Sequence, residues 1–238
     1  MTLTQMFGFG PDGWGSALLL GALLTVVLTI AAFFTGAVFG GLVAAAKLSK
    51  YRALRIAGDI YTIVFRGVPE LLVIYLFYFG GSNFVSSIAR LFGSDGFVSV
   101  PPFMIGAVGM ISGSYQAEVY RAVVLAVARG ELEAVRTIGM STTMMTRRVL
   151  IPQVFRYALP GLGNVWQMSL KNSALISVTG LAELMCTNQV AAGSTHQYFS
   201  FFITGGLLYL VMTSISGRIF GHAEASVARS FRRSFVRS

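Results

Sequence analysis

Long apolar stretches separated by short charged connections organise this chain. Five of them, residues 16–46, 60–80, 103–127, 154–178 and 199–220, reach the roughly 20 residues that an α-helix needs to cross the hydrocarbon core of a bilayer. None alternates with period two, so the pattern predicts helices and argues against an outer-membrane barrel. The first stretch, at about 1.5 Å per residue, exceeds the ~30 Å hydrocarbon thickness and is expected to tilt or project. Three i, i+4 glycine pairs, Gly36/Gly40, Gly109/Gly113 and Gly217/Gly221, mark places where helix backbones can approach closely, without naming the helices they approach. The expectation is an all-α, polytopic membrane protein with five transmembrane helices in a single domain over residues 1–238.

Composition sharpens this reading. Of 238 residues, 55% are hydrophobic and 11% charged, where a soluble domain spends about a quarter of its residues on charge. The net charge of +9 raises nucleic acid as a partner, but no segment is long and polar enough to build a basic soluble face, so none is expected. The basic residues instead report orientation. Lys47, Lys50, Arg52 and Arg55 follow the first stretch; the third stretch and the connection into the fourth carry Arg121, Arg129, Arg136, Arg147, Arg148 and Arg156; Arg218, Arg229, Arg232, Arg233 and Arg237 crowd the end. Only Arg90 falls on the opposite side. The N-terminus is therefore expected outside and the C-terminus in the cytoplasm, with a basic tail over 224–238 against anionic lipid head groups. No charged region precedes the first stretch, so no cleavable signal is expected. A lone Cys186 allows no internal disulfide, and His196 and His222 have no partners at metal-ligand spacing, so no metal is expected.

The longest polar run, "ELEAVRTIGMSTTMMTRRVLIP" over residues 131–152, lies on the expected cytoplasmic side. Leu132, Val135 and Ile138 form a short apolar stripe. Gly139 suits the left-handed residue after a helix end, Ser141 suits an N-cap, and Pro152 suggests a break before the fourth stretch. The run thus predicts a bent knuckle presenting Met140, Met144 and Met145 beside arginines, as a protein-docking surface does.

This run resembles the EAA loop of ABC-importer permeases, in which Glu-Ala-Ala, three residues, Gly, nine residues and Ile-x-Leu-Pro follow one another. Here Glu133-Ala134-Val135, Gly139 and Val149-Leu150-Ile151-Pro152 stand at those spacings, with Val135, Val149 and Ile151 as conservative departures. The segments "FRGVPELLVIYLFYFG" (65–80), "YQAEVYRAVVLAVARGELEA" (115–134) and "LPGLGNVWQMSLKNSALISVTGLAEL" (159–184) resemble the polar-amino-acid subfamily, which includes histidine, lysine/arginine/ornithine and octopine/nopaline permeases. That subfamily often has Gly-Gln before the Glu-Ala pair, whereas Glu131 follows Gly130 here.

The resemblance covers nearly the whole chain and implies the type I ABC-importer permease fold in a bacterial inner membrane. It implies a second homologous permease, two cytoplasmic ATPases that bind ATP and Mg, and a periplasmic solute-binding protein. It also implies that residues 128–153 form the coupling loop, with Glu133, Ala134, Gly139, Met144, Arg148, Ile151 and Pro152 meeting the ATPase. The chain has no phosphate-binding Gly-x-x-x-x-Gly-Lys-Ser/Thr run. It is expected to bind no cofactor and perform no covalent chemistry.

Ionisable residues inside apolar stretches are costly in lipid, and so mark candidate substrate contacts. Arg66 and Glu70 flank Pro69 at i, i+4, a spacing that suits either a mutual ion pair or direct substrate contact. Pro69 is expected to kink the second span. Lys171, with Asn172 and Ser173, interrupts the fourth stretch. Lys171 suits a substrate carboxylate and Glu118 a cationic group, unless Lys171 snorkels or pairs with Glu118 or Glu183. Tyr115 joins the candidate path, and Glu183 in the outer connection suits substrate contact or binding-protein docking. The functional expectation is an importer subunit for polar or basic amino acids or opines, working by alternating access. A self-sufficient secondary transporter would show internal repeats, and a non-transporting scaffold would have no use for Arg66, Glu118 and Lys171.

Overall fold

The computed structural model describes residues 6–10, 13–91, 101–127, 135 and 137–235, which contain helices and no strand. Helix α1 (Gly15–Lys47) is apolar on all sides. Its threonines stay compatible with that setting by bonding back to their own helix: Thr25 donates to Gly21 O at 3.0 Å, Thr29 to Thr25 O at 2.7 Å and Thr35 to Ala31 O at 2.8 Å.

The second expected span, 60–80, is not one kinked helix. Helix α2 (Arg52–Gly67) stops, and α3 (Glu70–Tyr75) starts afresh. Between them Val68 is extended (φ −91°, ψ 139°) and Pro69 follows at φ −53°, ψ 128°. The proline ring pushes the preceding residue out of the helical region, which ends the helix instead of bending it. Past α3 the path continues through a π turn (Leu76–Gly80) into α4 (Gly81–Leu91).

Helix α5 (Pro101–Ala126) is the central element, packed on α1, α2 and α7. The short α6 (Thr142–Met145) runs through a π turn (Thr146–Leu150) into α7 (Ile151–Asn172), which tightens into a 3-10 turn (Ser173–Thr179). Pro152 therefore marks no break: it lies in the first turn of α7, and Leu150 and Ile151 are both helical. The π turn over the preceding residues widens the backbone where the ring of Pro152 would otherwise meet a carbonyl. A short α8 (Leu184–Thr195) precedes α9 (Tyr198–Phe235). The expected fifth span, 199–220, thus continues as one helix through most of the basic tail.

Contacts fix the directions. A Cβ on Gly36 would lie 2.9 Å from Gly109 O and one on Gly40 2.8 Å from Gly113 O, so α1 and α5 run parallel with their glycine pairs facing. Residues Gly161 and Ser169 of α7 meet Val119 and Ser112 of α5, which makes these two antiparallel. Gln167 and Gly163 meet Thr213 and Phe220, so α9 runs against α7. Tyr61 reaches Met110, and Gly81 packs on Phe103, so the α2–α4 path runs against α5. The third pair, Gly217/Gly221, has no comparably close neighbour among the described residues.

The core follows α5. Met104, Ala107, Val108 and Ile111 pack with Ala32, Val73, Ile74 and Ile176, while Tyr120 packs with Ala44, Ala158 and Leu162. Among the described residues, three helical stretches are long and apolar enough to cross a membrane: Gly15–Lys47, Glu70–Ile88 and Tyr198–Val227. Their outer faces carry exposed Leu20, Leu23, Phe34, Leu76, Leu207 and Leu210.

Candidate transport path and coupling surface

A cleft of about 570 Å³ opens where the end of α1, the C-terminal half of α2 and the middle of α5 meet, lined by Lys47, Asp59, Thr62, Ile63, Arg66, Gly67, Tyr115 and Glu118. The side chain of Lys47 is only 8% exposed, and its three protons meet three acceptors. It donates to Thr62 Oγ1 at 2.9 Å, to Asp59 Oδ1 at 3.0 Å and to Glu118 Oε1. The other oxygen of Glu118 accepts Arg121 Nε at 3.0 Å and Nη2 at 2.8 Å. Three helices are thus tied by one alternating chain of charges, which low local dielectric strengthens.

Rotation of α5 is set by a buried amide. Gln116 Nε2 donates to Phe33 O and to Ser112 Oγ, each at 3.0 Å, and Gln116 Oε1 accepts from Tyr120 OH at 3.0 Å. Ser169 of α7 donates to the same Ser112 hydroxyl at 3.0 Å. A buried amide whose groups are engaged this fully holds one helix register. That register turns the neighbouring Tyr115 and Glu118 toward α2.

The candidate residues divide. Arg66, Tyr115 and Glu118 come together in the cleft, with the Arg66 guanidinium carbon 5.1 Å from the Tyr115 ring centroid. Arg66 and Glu70 form no ion pair, because the Val68–Pro69 break places them on separate helices. Glu118 meets Lys47 and Arg121, not Lys171. Lys171 is exposed, while the neighbouring Asn172 and Ser173 are buried; Ser173 donates to Leu170 O at 2.7 Å. Lys47, Asp59, Thr62 and Gln116 escaped the sequence reading. Lys47 and Asp59 flank a connection that reads as ordinary positive-inside charge, and nothing in their spacing links either to Glu118.

Glu183 is neither exposed nor free for docking. It is fully buried and caps α8, accepting from Met185 N at 2.9 Å and Cys186 N at 2.8 Å. Tyr209 of α9 adds a hydroxyl donor at 3.1 Å, and Thr25 of α1, whose one proton is shared with Gly21 O, a second at 3.1 Å. Burial pushes its carboxyl above the ordinary range, and these four hydrogen bonds oppose the shift. Its geometry is that of a clasp joining three helices.

At the other end of α7, Gly139 adopts φ +84°, the left-handed turn its position suggests. Ser141 caps α6, accepting from Met144 N at 3.4 Å. Met145 is buried, whereas Ile138, Met144, Arg147, Arg148, Ile151 and Pro152 are exposed. Glu133 and Ala134 lie outside the described residues.

This arrangement, a helical membrane scaffold with a charged cleft and a projecting helical knuckle, matches known transport proteins. Residues 36–229 match the family of binding-protein-dependent transport system inner membrane components, and the chain belongs to that family. It is a transport permease and not an enzyme. It is 53% identical over 235 residues to the octopine transport system permease protein OccQ of Rhizobium meliloti, covering 98% of this chain and 99% of the relative. The nopaline permease NocQ of Agrobacterium fabrum is 49% identical, covering 98% of each. The histidine/lysine/arginine/ornithine permease HisQ of Escherichia coli is 34% identical over 209 residues, covering 87% of this chain and 91% of HisQ. Among solved structures, an amino acid ABC transporter with histidines superposes with a TM-score of 0.75 at 31% identity, covering 90% of this chain and 95% of that one. The methionine transporter MetNI, at 17% identity and a TM-score of 0.71 over 90% and 97% of the two chains, shares the fold.

Proposed function

We propose that this chain is a permease subunit of an ATP-driven importer for amino acids or amino-acid-derived opines, and that it crosses the bacterial inner membrane five times. The N-terminus lies outside and the C-terminus in the cytoplasm, in keeping with the alternating directions of α1, α2–α4, α5, α7 and α9 and with the Lys and Arg bias. A second, homologous permease completes the pore. A solute-binding protein delivers substrate from outside, and two ATPases bind ATP and Mg. Their closing movement reaches the spans through the knuckle, with Gly139 shaping the turn, Met144, Arg148, Ile151 and Pro152 in the docking surface, and Glu133 and Ala134 completing it. Continuity of α6, the π turn and α7 supports this coupling, since a rigid helical path from the knuckle into a span transmits displacement without a hinge.

The observation that carries the substrate class is the mixed-charge cleft of Lys47, Asp59, Arg66, Tyr115 and Glu118. Charges of both signs beside an aromatic face suit a zwitterion, and they would be costly against hydrocarbon. The octopine, nopaline and basic-amino-acid relatives point the same way.

The test is uptake of labelled octopine, arginine and histidine into proteoliposomes holding the complete complex, with loaded binding protein. Accumulation that requires ATP is expected for at least one of them. Accumulation driven by an ion gradient without the ATPase would refute the reading.

A further inference from the structure

Charge pairing in the cleft separates Arg66 from every other cation there. All three protons of Lys47 are engaged, and Arg121 is committed to Glu118 through two hydrogen bonds. Arg66 has no carboxylate partner among the described residues. Its guanidinium carbon lies over the Tyr115 ring, 5.1 Å from the centroid, a cation–π contact. A cation–π contact does not supply a carboxylate, and the planar fork of the guanidinium matches one bidentately. Contact with Tyr115 also limits the orientations of a long side chain, so less freedom is lost when an anion binds. Lys171, which the sequence alone offers for the same task, is exposed and does not line this cleft.

From this geometry we infer that Arg66 is the residue that receives the carboxylate of the transported substrate, with Tyr115 holding its guanidinium in position. The inference rests on the amino-acid and opine reading above. Octopine carries two carboxylates and a guanidinium, so it presents both the anion that Arg66 takes and a cation for the acidic side of the cleft, where Asp59 stands.

The experiment uses the complete complex in proteoliposomes, with labelled octopine and arginine delivered by saturating loaded binding protein. Arg66→Gln should lower the uptake rate by about ten- to a hundredfold, the range expected for a lost hydrogen bond between charged groups. Arg66→Lys should lose less. In a Cys186→Ser background, Arg66→Cys is then modified with a thiosulfonate reagent carrying either trimethylammonium or sulfonate. The cationic adduct should recover part of the uptake and the anionic adduct none.

Uptake at the wild-type rate in Arg66→Gln, or equal uptake with the two adducts, would overturn the assignment. Failure of both neutral variants to yield an assembled complex would overturn it as well, by assigning Arg66 to the fold. Should the unmodified complex import neither compound, the functional reading falls first; an active complex with indifferent Arg66 variants defeats this inference alone.

Discussion

Gly40 and Gly41 are adjacent in α1 and stand in opposite environments, which makes them a controlled test of how α1 and α5 pack. A methyl group on Gly40 would lie 2.8 Å from Gly113 O, 2.9 Å from Gln116 Cβ and 3.1 Å from Ala117 N, mostly rigid backbone of α5, whereas one on Gly41 would meet nothing within 4 Å. Both substitutions gain the same helix propensity, about 1 kcal/mol for Gly→Ala, so their difference isolates packing. Relieving the contacts at Gly40 requires α1 to move away by roughly half an ångström or more, and a gap of that size forfeits about a quarter to a half of each dispersion contact along the seam. Overpacking of this kind costs about 1–3 kcal/mol. At about 2–4 °C per kcal/mol for a chain of this size, Gly40→Ala should melt about 2–12 °C below Gly41→Ala in detergent. Thermal unfolding of the purified complex, followed by fluorescence-detected size exclusion, measures the gap. Equal melting of the two variants would show that the α1–α5 approach is not the tight seam described.

Three other outcomes follow from the same geometry. Gly139 sits at φ +84° with open space around its Cβ position, so backbone conformation decides there: Gly139→Asn should keep ATPase stimulation by loaded binding protein, and Gly139→Val should lose most of it while the protein still inserts. Lys47→Met strands part of the charge chain. It should destabilise by about 1–3 kcal/mol, less than a fully buried pair because Glu118 keeps Arg121 and the Asp59 side chain is 57% exposed; Lys47→Met with Glu118→Gln should recover part of the loss in a double-mutant cycle of melting temperatures. Because burial raises the Glu183 carboxyl above its unfolded value, the folded state holds its proton to higher pH than the unfolded chain does. That contribution to stability is complete below the ordinary carboxylate range and declines as pH rises through the elevated value, so the melting temperature should fall with pH over that window and flatten in Glu183→Gln.

Much of the fold could be read from local pattern. The helical class, the starts of the first, third, fourth and fifth apolar stretches, the left-handed Gly139 and the Ser141 cap follow from residue type and spacing within a few positions, because helix periodicity and turn chemistry act over short range. The same logic misjudged both prolines. Pro69 separates two helices because it forces Val68 to extend, and Pro152 interrupts nothing because a π turn makes room for its ring. A proline's effect depends on whether the backbone before it can adapt, and that backbone is held by distant packing.

By itself, the sequence determined that this is a helical transport permease, and it carried the charge pattern and the loop spacing on which the proposed orientation and ATPase coupling rest. Those properties depend on hydropathy, charge counts and intervals along one chain. Only the tertiary structure decided which glycines face each other, that Lys47 and Arg121 share Glu118, that Glu183 is a buried clasp and that Arg66 rests on Tyr115. These facts are pairings between residues up to 158 positions apart, as with Thr25 and Glu183. An ionisable residue in an apolar stretch announces that it needs a partner, since lipid offers none. Which partner it finds depends on the rotation and direction of neighbouring helices, and α5, turned by Gln116, sets these for the cleft.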